Sequence, residues 1–452
     1  MIKDRLKLAG ATIAVTAGLA FGGYALAGGF LTNGLPQAGG SQYPSTIPLT
    51  GNELLPADTQ LSSGQMPQSE AISLSQLDAF MNSRPSNENF IIGGDAGTNL
   101  WQRGTTGSSV TTTATFGGPD RWFYWSGTNT AMTVSQSNTA AALPAAYSQT
   151  FRMQRTAAQT GVVQMCMAQE VESNLAVSMA GTTVELDFHA FTGANFSPAA
   201  PFNMNAYVIY GTGTNDGAAK LAFGLNGGGG GGSGWTGQAN ASAGLISLGG
   251  VSTLGRYAVV AAIPATATEV GVALCYTPTG TAGTTDAVYF SGIQLLRNPS
   301  LTANATTGFS CDNTSNVQIQ CTSFLRRAQA VESVLQYRYY YELDESATIW
   351  VAGACKAESV TVATCFVQFP VVMRSAPAMT YANGFATETT TAGGTLGACN
   401  TLATASTVAS TASNVNGILV GCTATTVPAA GSAAMLYSNN GTGKIKANAE
   451  MT

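Results

Sequence analysis

The aromatic run DRWFYWSG, Asp120–Gly127, holds Trp122, Tyr124 and Trp125 in eight residues, with Trp101 not far before it. Such rings offer a flat apolar face to sugar C–H groups, while nearby amides and carboxylates bond the hydroxyls. Trp101, Trp122, Tyr124 and Trp125 are therefore candidate sugar platforms. The competing reading is that they pack inside, as aromatics in strands commonly do. A second set lies on two alternating segments. In TVELDFHAF, Val184, Leu186 and Phe188 face one way and Glu185, Asp187 and His189 the other. In PFNMNAYVIYG, Asn203, Asn205 and Tyr207 oppose Met204, Ala206 and Val208. If these segments are neighbours, six polar side chains share one rigid face. The competing reading is a solvated face or a subunit contact. Glu185 and Asp187 are also a conceivable acid pair for glycoside cleavage, but carboxylates two apart on a strand are common.

Other chemistry is excluded more firmly. His189 is the only histidine in 452 residues, which removes most metal sites and most Ser-His or Cys-His catalytic arrangements. No EF-hand pattern appears. The six glycines Gly227–Gly232 lack the Lys-Ser/Thr of a phosphate-binding loop and the spacing of a dinucleotide fingerprint, and read as a mobile surface loop. The sequence thus points to no catalytic residues, no cofactor and no metal. Eighteen Lys and Arg against 23 Asp and Glu leave no basic stripe for nucleic acid.

The eight cysteines are Cys166, Cys275, Cys311, Cys321, Cys355, Cys365, Cys399 and Cys422, with no CxxC. Cys311 with Cys321, Cys355 with Cys365 and Cys399 with Cys422 are spaced as local pairs, leaving Cys166 and Cys275 in the large middle region. Four disulfides in a protein outside a reducing cytosol are one reading. Eight buried thiols are the other.

The elements that must position these residues are strands. Hydrophobic residues make up 45% of the chain and charged residues only 9%. Short alternating runs are separated by Gly, Thr and Asn. The expected fold is mostly β: a jelly-roll or β-sandwich domain over 85–300 and a second, C-terminal β-sandwich over 344–452. The connector, 301–343, contains FLRRAQAVESVLQYRYYYEL, Phe324–Leu343. Phe324, Ala328, Val331, Leu335 and Tyr339 recur at helical spacing. They predict a helix of about three turns, a hinge that packs its apolar face on a β-domain or on a symmetry axis.

Residues 1–31 begin MIKDRLK and run uncharged from Leu8 to Leu31, long enough to cross a bilayer as a helix. A signal peptide, a membrane anchor through 8–31 and an apolar peg into a larger assembly all stay open. Residues 32–84 are rich in Pro, Gly, Ser and Gln. They predict an extended attachment segment with a short helix near Ser73–Met81.

Several fragments, in order, resemble bacteriophage virion proteins of the tail-fibre and head-fibre kind. TGNELLPADTQLSSGQMPQSEAISLSQL is similar to their particle-joining segment. AGTNLWQRGTT (Ala96–Thr106), AGTTVELDFHA (Ala180–Ala190) and SGIQLL (Ser291–Leu296) resemble parts of a carbohydrate-binding jelly roll. The Arg/Tyr connector and FPVVMRSAPAMTYANG (Phe369–Gly384) resemble the connector and C-terminal domain of the same architecture. The resemblance implies a homotrimeric fibre or spike on the virion surface. It would join other virion proteins through 1–84 and bind host-surface glycan; the residues themselves, with His189 as the one available base, predict no enzyme. The alternatives are a capsid or collar decoration protein without a ligand, and a polysaccharide depolymerase. The latter lacks the repeated coils of a β-helix. The apolar N-terminus departs from a simple fibre and keeps open a secreted or membrane-anchored bacterial protein.

Overall fold

The computed structural model describes residues 54–59 and 68–73 and, between 86 and 451, all but short segments, the longest being 298–308 and 311–323. The expectations for residues 1–31, the glycine run and Asn203 lie outside the described residues, as does the short helix near Ser73–Met81 apart from Ser73 itself. So does the expected pairing of Cys311 with Cys321, since both Cys311 and Cys321 fall in the second of those segments. Among the described residues no helix is long and apolar enough to cross a membrane. The chain divides at Pro85/Ser86 into two units. The described part of the first is an antiparallel pair, β1 (Leu54–Thr59) and β2 (Gln68–Ser73).

The second unit is mostly β, as the alternation predicts. Its first part comprises β3 (Ser86–Asn89), β4 (Ser108–Ser109), β5 (Thr115–Phe116), β6 (Phe123–Ser126), β7 (Met132–Ser137), β8 (Thr150–Arg155) and β9 (Met165–Val171). It continues with β10 (Thr183–Thr192), β11 (Met204–Thr212), β12 (Thr236–Ile246), β13 (Gly255–Ala262), β14 (Glu269–Tyr276), β15 (Ala287–Arg297) and β16 (Phe309–Ser310). These form two antiparallel sheets. One has the order β16-β13-β10-β15-β8-β7-β4, with β3 also on β15; the other has the order β12-β11-β14-β9-β6-β5.

The sheets face each other because their strands alternate. Val184, Leu186 and Phe188 of β10 meet Val208, Val272 and Leu274 of the other sheet in one core. The second sheet also buries its outer face. Helix α1 (Ala218–Asn226) lays Ala218, Leu221 and Ala222 over Phe123, Trp125, Ile209 and the bonded Cys166 and Cys275. That sheet is therefore apolar on both sides, which is why β9 and β14 are buried at every residue.

The connector departs from the expectation. Residues 324–328 are extended, and the helix, α2, is only Gln329–Tyr337. The expected apolar face is packed only in part: Tyr339 is buried and Phe324 lies against Tyr147, but Ala328 and Val331 are exposed. Val331 and Val334 are each 51% exposed, whereas Glu332 and Gln336 are buried. Hydrogen bonds decide this: the loop over residues 93–100 presents backbone groups that only polar side chains can satisfy. Glu332 accepts from the Gly93 N–H, and Gln336 Oε1 accepts from the Leu100 N–H at 2.8 Å. Far from a free hinge, α2 is fastened to the jelly roll.

The C-terminal part begins with β17 (Tyr340–Asp344), β18 (Val351–Ala357), β19 (Val362–Gln368), β20 (Ala378–Ala382) and β21 (Phe385–Thr389). It ends with β22 (Gly397–Thr404), β23 (Ser413–Asn414), β24 (Gly417–Ala424), β25 (Ala433–Ser438) and β26 (Lys444–Asn448). The order β19-β18-β25-β21-β22-β24 returns to β19 through a further β19–β24 pairing, so the sheet closes on itself. A three-stranded sheet, β17-β26-β20, adds to the same core. Cys355 and Cys365 are bonded directly across β18 and β19, and Cys399 is bonded to Cys422.

Jelly roll and C-terminal part meet through buried charge. Arg121, in the left-handed region at φ 70°, lies 3.7 Å from the Tyr339 ring centroid and pairs with Glu450 and, at 3.7 Å, with Glu170. Arg103 lies 3.6 Å from the Tyr340 centroid and pairs with Asp120 at 3.3 Å and Glu450 at 3.1 Å. The Arg/Tyr cluster is thus an internal joint.

Candidate functional site

The aromatic candidates fail on burial. Trp101, Trp122 and Tyr124 belong to the central core, with Trp122 and Tyr124 fully buried. Trp125 is fully buried beneath α1 and stacks on Phe123 at 5.7 Å. The reason is the two-sided burial of the second sheet: strand β6 has no face left for solvent. None of the four is a sugar platform.

The polar strand faces are not one patch either. Strand β10 is in the first sheet and β11 in the second, so Glu185, Asp187 and His189 stand on a different side of the molecule from Asn205 and Tyr207. Tyr207 instead receives a hydrogen bond from Gln164 Nε2 at 3.2 Å. Glu185 and Asp187 are fully buried and do not reach a substrate as an acid pair. Asp187 is held by Arg256 at 3.1 Å and by Gln294 Nε2 at 2.7 Å. Burial pushes its carboxyl up to about 7 against the pull of both partners.

His189 is half-buried and sits 3.3 Å through Nδ1 from the Tyr147 hydroxyl. Tyr147 in turn packs on Phe324, with ring centroids 5.7 Å apart. Leu325 donates its backbone N–H to Gln294 Oε1 at 2.8 Å. The extended stretch 324–328 therefore covers the Asp187 end of this sheet face.

The other end of the same face stays partly open. Beyond His189, β10 turns Phe191 outward. Its partner on β15 is Tyr289, whose partner on β8 is Arg152, whose partner on β7 is Ser135. One row therefore crosses four adjacent strands. The Phe191 and Tyr289 rings are parallel within 3° and 4.4 Å apart, and mostly buried. They form a floor. Arg152, Ser135, Gln154 and Thr133 are half-exposed around it. The Arg152 guanidinium stands 5.9 Å from the Tyr289 centroid, within cation–π range. The half-exposed side chains can bond the substituents of a ligand, with the guanidinium as a fixed charge among them.

A separate cavity of about 790 Å³ is lined by Phe90, Leu175, Phe324, Leu325 and Leu335, with Arg326 and Arg327 at its wall. Its two arginines are engaged, Arg326 with Asp95 at 2.7 Å and Arg327 with Glu332 at 3.0 Å. The row on the sheet is the better polar site.

Phe191, Tyr289, Arg152 and Ser135 were not singled out from sequence. The alternation in TFRMQR does turn Arg152 and Gln154 away from Phe151 and Met153. Their neighbours, however, come from strands far along the chain, and only the register brings them together. Among the described residues, no group of three or more potential metal ligands occurs.

No protein-family model matches the chain, and no curated protein matches it. Solved structures do. The enzymatically active domain of tailspike protein 4 from bacteriophage CBA120 is 12% identical with a TM-score of 0.27, over 46% of this chain and 21% of that one. A family 4 carbohydrate-binding module is 14% identical with a TM-score of 0.22, over 39% and 87%. A putative sugar-binding protein from Bacteroides thetaiotaomicron is 13% identical with a TM-score of 0.26, over 46% and 100%. The chain thus spans about a fifth of the tailspike domain it matches.

Proposed function

We propose that this chain is a virion attachment protein, an oligomeric fibre or spike whose jelly roll binds host-surface glycan on the outer face of its larger sheet. The observation that carries the reading is the row Phe191–Tyr289–Arg152–Ser135, in which half-exposed Arg152 and Ser135 stand beside a buried aromatic pair on the outer face of the larger sheet. The order of phage-fibre-like fragments supports the virion role, and the paired cysteines fit an oxidising location. Catalysis has no support in the buried Glu185 and Asp187. Binding of the full chain to a glycan array tests the reading; a blank array overturns it.

Self-association is part of the proposal, and a second surface supports it. Met435, Ala354, Phe366 and Leu419 are direct neighbours across β25, β18, β19 and β24. Phe366 is 43% exposed. Lys356 is the only charged residue in these four strands, so two copies could meet here without like-charge repulsion. This row also fits the second reading, a decoration protein whose contacts are with protein alone. Light scattering of the full chain and of Phe366→Ser separates them from a monomer: the proposal expects an oligomer that the substitution weakens.

A further inference from the structure

The arginines of the jelly roll are nearly all spoken for. Arg103 and Arg121 pair with Asp120, Glu170 and Glu450; Arg155 pairs with Asp286 at 3.1 Å; Arg256 pairs with Asp187. Arg297 donates to the Ser178 carbonyl at 3.1 Å. Arg152 is different. Among the described residues it has neither an ion pair nor a hydrogen bond, whereas each of the others has at least one. Its neighbours across the sheet are Tyr289 and Ser135, neither of which carries a negative charge. A guanidinium stays protonated at any ordinary pH. The fold therefore holds a fixed positive charge beside a buried aromatic pair, with no anionic partner among the described residues.

We infer that this face takes an acidic saccharide, with a sugar carboxylate received by the Arg152 guanidinium. This rests on the glycan-binding reading of the same face and narrows its ligand. Three features fit one ring. A planar guanidinium and a carboxylate match through two parallel N–H···O bonds. The Tyr289 and Phe191 rings, buried beneath, hold the guanidinium at the strand face. Ser135 and Thr133, half-exposed on β7, stand beside Arg152 to bond hydroxyls. A neutral sugar would use the hydroxyls but leave the guanidinium without an anionic partner.

The test is calorimetric titration of the full chain with a galacturonic acid trisaccharide, its methyl ester, sialyllactose, lactose and a sulfated disaccharide. The expected result is binding of at least one carboxylate sugar at least tenfold tighter than its neutral counterpart, weakening with added salt. Arg152→Gln should remove that preference by tenfold or more, and Arg152→Lys should restore part of it. The unfolding midpoint of Arg152→Gln should be unchanged or higher, because the residue it removes has no internal ion-pair partner. Equal binding of acid and neutral forms would overturn the inference while leaving a glycan-binding face. Preference for the sulfated sugar alone would overturn the carboxylate assignment. No binding to any of these sugars, with a blank glycan array, would overturn both the inference and the reading beneath it.

Discussion

The Arg121 guanidinium lies 3.7 Å from the centroid of the Tyr339 ring, and both side chains are buried. Arg121 belongs to the loop that leads into β6 of the jelly roll, and Tyr339 to the connector. Their contact, with Glu170 and Glu450 around it, ties the two β-structures into one unit. Removing one member of a buried pair leaves the others charged and unsolvated. Arg121→Met should therefore lower the unfolding free energy by about 3–5 kcal/mol. Urea unfolding of the full chain checks this; a loss below about 1 kcal/mol would mean that the joint contributes little.

The same joint sets a pH dependence. Burial pushes Glu170 up to about 7 and Asp120 up to about 6, and Asp187 on the sheet face reaches about 7. Arg121 lowers Glu170 and Arg103 lowers Asp120, but desolvation is larger in each. These carboxyls hold protons in the folded chain that they release on unfolding, so the folded state binds more protons near neutrality and stability falls as pH rises. The unfolding midpoint should fall from pH 5 to pH 8, most steeply between about 5 and 6 and levelling off above about 7. A midpoint that rises over that interval would contradict the assignment.

Helix α2 makes a sharp contrast testable. Gln336 is fully buried and serves the Leu100 N–H, whereas Val331 is 51% exposed. Gln336→Leu should cost about 1–3 kcal/mol by leaving a buried donor unpaired. Val331→Lys should stay within about 0.5 kcal/mol. Thermal unfolding of the two variants decides between this packing and the apolar face that helical spacing alone predicts, for which the order would be reversed.

The disulfides should differ in weight. Cys166 and Cys275 are 109 residues apart, and Cys355 and Cys365 only 10. Loop closure assigns about 5 kcal/mol to the first and about 3 kcal/mol to the second. Replacing each pair by alanines and measuring urea midpoints should show the larger loss for Cys166 and Cys275. The opposite order would point to structure retained in the unfolded chain.

The strands were legible because alternation is local: Val184, Leu186 and Phe188 declare a buried face without reference to any other segment. The site was not. Burial of Trp122 and Trp125 follows from a sheet covered on both sides, which depends on α1 and on the facing sheet. The failure at α2 has the same origin. Val331 and Leu335 set an amphipathic period, but the surface they would meet presents the backbone groups of residues 93–100, and hydrogen bonding selects Glu332 and Gln336. The row Phe191–Tyr289–Arg152–Ser135 is assembled from separate stretches of chain, so only the register of β10, β15, β8 and β7 reveals it.

The most direct test of the proposed glycan-binding face is to block it without disturbing the core. Ser135 points outward beside Arg152 and is half-exposed, so Ser135→Trp would fill the strip. The full chain and this variant are compared on one glycan array, with thermal unfolding to verify folding. The prediction is saccharide binding by the parent chain that the folded variant loses. Binding by neither, or equal binding by both, would contradict the placement of the site on this face.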